Sequence, residues 1–142
     1  MIPTEATLRK LPYAQLCCVR SFTVGEKGVG QVRFLQPVDL TKVAINEIFE
    51  RIVVFEPRLV TLYPDDEFNG EEKPPVGSGL NVPAEIRLER CWCLSKSDRQ
   101  PIKDMGDPRL QAHIDRLKSM EDTQFVDYLP ETGTWIFRVD HF

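Results

Sequence analysis

With 142 residues, 42% of them apolar and 28% charged, the chain has the length and composition of one globular domain able to bury a single core. A net charge of −4 argues against binding nucleic acid through bulk positive charge, and no apolar run approaches the ~18 residues that would span a membrane. The opening "MIPTEATLRKLPYAQ" lacks the apolar stretch of a signal peptide, so no leader is expected.

"LRKLPYAQLCCVRSFTVG" predicts a polar or turn segment followed by a strand near residues 16–24. Gly25, Gly28 and Gly30 then lead into an alternating run, Gln31–Leu35, which is a hairpin signal. Their G-x-x-G-x-G spacing fits neither phosphate-loop template, and no helix start follows, so they are expected to form a turn. "DLTKVAINEIFERI" predicts a short helix capped by Asp39 or Thr41, with a mixed apolar stripe of Val43, Ile45, Ile48, Phe49 and Ile52. "RIVVFEP" and "RLVTLYP" read as two strands, or as one broken at Pro57, because they are dense in β-branched residues. Residues 64–84 form the longest irregular stretch, and a loop of that length is usually functional or mobile.

"AEIRLERCWCL" predicts a strand with Cys91 and Cys93 on one face and Trp92 on the other. Asp107-Pro108 opens the clearest helix, "PRLQAHIDRLKSME", with Leu110, Ile114 and Leu117 facing the core. His113 sits one residue off that stripe and is expected to be exposed rather than a ligand. Arg109, Arg116 and Lys118 read as a solvated helix face in preference to a nucleic-acid patch. "TQFVDYLP" is a strand, "ETG" a turn, and "TGTWIFRVDHF" a last strand burying the face of Trp135, Phe137 and Val139. Cys17-Cys18 and Cys91-Trp92-Cys93 lack C-x₂-C spacing, so the cysteines are expected to be reduced and packed as small apolar groups, with no metal or cofactor. The order of elements shows no βαβ alternation. It predicts a single domain built on a largely antiparallel sheet or sandwich with helices packed outside.

Several stretches together resemble one family: "SFTVGEKGVGQVRF", "VDLTKVAINEI", "KPPVGSGLN", "AEIRLERCW", "QFVDYLPETGTWIFRV" and the final "HF". The chain resembles, from about Ile2 to Phe142, the autoproteolytic domain of the GLFG-repeat nucleoporins. That family comprises the vertebrate nucleoporin of ninety-eight kilodaltons and its fungal relatives. The repeats that family members carry ahead of this domain are not in the sequence, and the methionine standing directly before the domain reads as an expression start.

The resemblance implies one mainly β (α+β) domain over 1–142, a β-sandwich-like antiparallel sheet flanked by two or more helices, and self-cleavage within His-Phe-Ser. His141 and Phe142 match the first two residues, with Phe142 supplying the scissile carbonyl. The serine attacks that carbonyl, and the ester formed by the N-to-O acyl shift is hydrolysed by water. The chemistry fits the residue types, since a serine hydroxyl needs a nearby base and histidine has a suitable pKa. One residue between His and Ser on a strand would set both side chains on one face. Asn81 and the glycine N–H groups of "GSGLN" are candidate oxyanion donors, with a plain turn role for Asn81 as the alternative. On this reading the chain is the cleaved N-terminal product, or was designed to end like it, and is inactive without the serine. A self-processing enzyme that is still competent is the competing reading.

The resemblance further implies a place in the nuclear pore complex of the nucleus and a part in protein and mRNA transport. Implied partners are a β-propeller nucleoporin of the cytoplasmic face and the N-terminal peptide of the domain's own cleaved partner, with RNA as an alternative and no small-molecule substrate. The departing segment is expected to leave an unpaired sheet edge open to strand addition. The last strand is expected to stay ordered to Phe142, with the ring packed.

Overall fold

A computed structural model describes residues 1–49, 51–64 and 73–142. Among these, α1 (Glu5–Lys10) and α2 (Tyr13–Leu16) precede the hairpin β1 (Thr23–Glu26) and β2 (Gly30–Phe34). A single turn, α3 (Ile45–Ile48), leads into the hairpin β3 (Val53–Glu56) and β4 (Leu59–Leu62). After β5 (Ala84–Leu88) come α4 (Pro108–Lys118), β6 (Gln124–Leu129) and β7 (Thr134–Val139). Every strand pairing is antiparallel, giving a five-stranded sheet in the order β1-β2-β5-β7-β6 and a separate two-stranded sheet, β3-β4.

Alternation sets the register. Val24, Val32, Ile86 and Phe137 lie side by side across four strands on the core face. Arg33, Glu85 and Arg138 make the matching row on the other face, where Glu85 accepts from Arg138 at 3.1 Å and lies 3.6 Å from Arg33. A slip of one residue would exchange these rows, and burying each apolar side chain stabilises by about 1.5–3 kcal/mol, so the register is strongly specified. Phe22 and Phe34, both buried, stack with centroids 5.8 Å apart at the β1–β2 end of the core.

Several expectations shift. The N-terminal segment is helical rather than turn-like: Thr4 caps α1 through its side chain, and Pro12 opens α2. The strand expected near 16–24 therefore begins only at Thr23, after Ser21 turns the chain at φ 51°. The helix expected over 39–52 is a single turn, because Asp39 accepts from the Thr41 backbone N–H (2.9 Å) and hydroxyl, tying that segment into its own local turn. Neither Asp39 nor Thr41 caps α3, whose N-cap is Ala44. Ile48 and Ile52 are both buried, and the Ile52 N–H bonds to the Glu47 carbonyl as the chain enters β3. The two strands about Pro57 do form a hairpin, with Arg58 in the left-handed region at its turn. Residues 65–72 of the expected long loop lie outside the described residues.

β5 ends at Leu88, short of the cysteines, because Arg90 adopts φ 60° and swings the chain away. Cys91 is buried and Cys93 half-buried, whereas Cys17 and Cys18 are exposed. All four thiols are free. α4 starts where expected: the Asp107 carboxylate accepts from the Arg109 N–H at 2.9 Å, and Leu110 and Ile114 are buried. His113 is half-buried rather than exposed, because its Nε2 lies 2.9 Å from the Cys91 carbonyl and its ring meets Tyr128 edge-on. β7 is more deeply placed than its alternation suggests. Thr134 and Ile136 are buried as well as Trp135 and Phe137, since the strand is flanked on both sides by β5 and β6. It therefore leaves no open sheet edge. The sheet's outer strands are β6 and β1, and β1 carries Ile2 as a bridge to Thr23.

Candidate functional site

β7 delivers the chain to the site. The strand ends at Val139, so the expected strand to Phe142 is three residues too long, and the same-face argument for residues beyond it no longer rests on a strand. Asp140 and His141 are exposed, and Phe142 turns back toward the protein. Its half-buried ring meets Phe34 edge-on with centroids 6.3 Å apart, extending the Phe22–Phe34 pair into a column of three. Edge-to-face pairs add about 0.5–1.5 kcal/mol to the burial itself. The expectation of a packed ring is thus met without strand geometry.

The second hold on Phe142 comes from the loop ahead of β5. In that loop the Ser78 N–H donates to Pro75 O (3.0 Å), the Asn81 N–H to Ser78 O (3.0 Å) and the Gly77 N–H to Asn81 O (2.7 Å). The side chain of Asn81, 2% exposed, closes the structure: Nδ2 donates to Pro74 O at 3.0 Å, and Oδ1 accepts from the Phe142 N–H at 2.6 Å. This orientation is chemically forced, since a flipped amide would face a carbonyl with oxygen and an N–H with nitrogen. Asn81 thus meets the Phe142 N–H as an acceptor. One of its two Nδ2 N–H groups donates to Pro74 O, and the Gly77 N–H donates to Asn81 O.

Tyr63, buried at the end of β4, accepts from the Leu80 N–H at 3.1 Å. Burial holds its phenol above the ordinary range, and the Leu80 N–H offsets part of that rise. Gly79 has φ +56°, and a Cβ there would lie 3.2 Å from both Tyr63 Oη and Pro74 Cγ, so the loop passes where only glycine fits without displacement. Beyond the tail lies an open groove of about 470 Å³ lined by Asp122, Thr123, Gln124, Arg138, His141 and Phe142.

The structure thus joins Asn81 to Phe142 and leaves His141 at the groove rim. Sequence reasoning missed Tyr63, Pro74 and Phe34. Phe34 looks like any core residue of an alternating strand, and nothing local marks Tyr63 as reaching a loop 17 residues away. No cluster of three or more His, Cys, Asp or Glu that could hold a metal occurs among the described residues. On α4, Arg109 pairs with Asp107 (2.8 Å), and Lys118 lies over the Phe125 ring at 5.3 Å.

The chain matches the nucleoporin family described as the Nup98-96 autopeptidase over residues 1–142. Nucleoporin nup189 of Schizosaccharomyces pombe is 45% identical over 143 residues, covering 100% of this chain and 8% of that protein. Nucleoporin NUP145 of Chaetomium thermophilum is 46% identical over 142 residues, covering 100% of this chain and 7% of that protein. The chain therefore spans less than a tenth of the length of these curated relatives. Among solved structures, the yeast heterotrimeric Nup82-Nup159-Nup116 complex contains a chain that superposes with a TM-score of 0.87 at 35% identity, covering 98% of this chain and 92% of that one. The chain belongs to the Nup98-96 autopeptidase family of nucleoporins, the proteins of the nuclear pore complex.

Proposed function

We propose that the domain has two linked roles: it docks a repeat-bearing nucleoporin onto other nucleoporins, and in a chain continuing with serine after Phe142 it cleaves the bond that follows Phe142. The observation that carries the cleavage reading is the double hold on Phe142, its N–H on Asn81 Oδ1 at 2.6 Å and its ring on Phe34. A residue fixed at backbone and side chain presents its carbonyl with little freedom left to lose, which is how proximity lowers a barrier.

In the proposed reaction the serine hydroxyl oxygen attacks the Phe142 carbonyl carbon while His141 accepts the hydroxyl proton. The C–N bond breaks, and the departing serine amine takes a proton back from the imidazolium. The ester so formed is hydrolysed by water, leaving a carboxylate on Phe142 and regenerating the serine hydroxyl. The exposed position of His141 on the groove supports this role, since the groove opens beside Phe142. Asn81 orients the scissile residue from its N–H side. A chain extended past Phe142 by serine and a few residues tests the reading. It should convert to two fragments with first-order kinetics, and His141→Ala should abolish conversion. A stable intact product would overturn the reading.

Docking is supported by the relative found within a complex of Nup82, Nup159 and Nup116. The proposed partners of this chain are a β-propeller nucleoporin of the cytoplasmic face and, at the groove beside Phe142, the N-terminal peptide of the cleaved partner. Docking, together with the cleavage, would serve nucleocytoplasmic transport of protein and mRNA by anchoring the repeats. Pull-down of the propeller by the 142-residue chain tests this, and absence of binding would remove that partner. The RNA alternative is disfavoured by the net charge of −4 and by the engagement of Arg109 and Lys118 within the domain.

A further inference from the structure

Tyr63 belongs to β4's end of the two-stranded sheet, yet its hydroxyl reaches the loop that holds Phe142. Three hydrogen bonds and one short backbone step form a continuous path. The Tyr63 N–H donates to Ile52 O (2.8 Å), and the Tyr63 hydroxyl accepts from the Leu80 N–H (3.1 Å). The next residue, Asn81, accepts from the Phe142 N–H (2.6 Å). Leu80 is fully buried, so without the hydroxyl its N–H has no solvent to turn to. Tyr63 also adopts φ 50°, in the left-handed region that a bulky residue rarely occupies. Such backbone strain persists only where surrounding contacts overdetermine it. Gly79 lies against the same hydroxyl, where an added Cβ would sit 3.2 Å from the oxygen.

We propose that Tyr63 is a positioning residue for cleavage after Phe142, holding the 77–81 loop so that Asn81 Oδ1 meets the Phe142 N–H. The inference rests on the cleavage reading above for its meaning, but its geometry can be tested without any cleavage. Tyr63 touches no reacting atom. It acts through Leu80 and Asn81, and it couples the small hairpin sheet to the tail of the large one.

Amide hydrogen exchange of the 142-residue chain, read by NMR, separates this role from a general one. Tyr63→Phe should speed exchange at Phe142 about ten-fold, the loss expected for one hydrogen bond, and leave Ile136 and Phe137 in β7 unchanged. In an Asn81→Ala background, where Phe142 has already lost its acceptor, Tyr63→Phe should add nothing further at Phe142. Gly79→Ala, which pushes a methyl toward the same hydroxyl, should reproduce the selective loss and serves alone if Tyr63→Phe does not fold. Equal acceleration at Phe142 and Phe137 would overturn the proposal, and so would an unchanged Phe142. In the serine-extended chain, Tyr63→Phe should slow conversion by a similar factor. If that chain never converts, the cleavage reading fails while the exchange result still decides the linkage.

Discussion

The two ends of β7 are held in opposite ways. At the Thr134 end the turn is clamped from several sides. The Cys91 N–H donates to Gly133 O (2.8 Å), the Arg90 N–H to Thr132 O (3.2 Å) and Trp92 Nε1 to Pro130 O (3.1 Å). A Cβ on Gly133, at φ +66°, would lie within 2.9 Å of the Trp92 ring. Tyr128 Oη and His113 Nε2 converge on the Cys91 carbonyl at 3.0 and 2.9 Å, tying α4 and β6 to the same corner. At the Val139 end, by contrast, Phe142 has one backbone hydrogen bond and one ring contact. The clamped end fixes where the strand lies, and the lightly held end inherits that position.

This contrast can be broken from either side. The largest effect is expected for Phe137→Ala in the shared middle of the strand. Its ring stacks on Trp135 with centroids 4.0 Å apart, and truncating a buried aromatic costs about 3–5 kcal/mol. Urea unfolding should show the full loss, affecting both ends alike. Asn81→Ala comes next, at about 1–3 kcal/mol, since it orphans Pro74 O and the Phe142 N–H together. Here exchange should quicken at Phe142 far more than at Thr134, and a uniform increase along β7 would erase the contrast.

The clamped end should also carry an alkaline limit. Burial, opposed in part by Arg58, pushes the Cys91 thiol from 9.0 up to about 11. Burial first, and then the neighbouring Cys91 and Cys93, push the Tyr128 phenol from 10.0 up to about 12. Both folded values are raised, so both neutral forms are favoured in the native state. Their stability contribution is complete below pH 9 and declines as pH rises through 11. The urea midpoint should therefore fall between pH 9 and 11, and Cys91→Ala should flatten the first part of that fall. An unchanged slope in the variant would mean that another group sets the limit. The smallest effect is expected for Arg138→Ala. Its exposed pairing with Glu85 is worth about 0–1 kcal/mol, and the urea midpoint should barely move.

Much of the fold was legible in the sequence. The glycines before Gln31 marked the β1–β2 hairpin, the β-branched runs about Pro57 marked β3 and β4, and Asp107-Pro108 marked α4. These features are local, with partners a few residues away. Legibility failed where distant contacts outweighed local preference. The apolar stripe after Asp39 resembles a longer helix than the single turn that forms, because Ile48 and Ile52 are drawn into the core from a turn rather than from one helix face. His113, one position off its helix stripe, found a carbonyl 22 residues away. The site divides along the same line. His141 and Phe142 are adjacent and could be marked together, and Asn81 could be marked as a candidate, but its acceptor bond from the Phe142 N–H could not, since that bond, like the one from Nδ2 to Pro74 O, exists only in the folded chain.

The sequence by itself determined the alternating faces of the sheet, the turns that glycine and proline impose, and, in Phe142, a side chain too large and apolar to sit comfortably in water. Those follow from backbone sterics and hydrophobicity acting over a few residues. Only the tertiary structure decided that β7 runs between two neighbours instead of along an edge, and that Phe142 leaves the strand to close on Phe34 and Asn81. That closure spans 61 residues of sequence for the hydrogen bond, and such a contact exists only once the sheet has brought its two ends together.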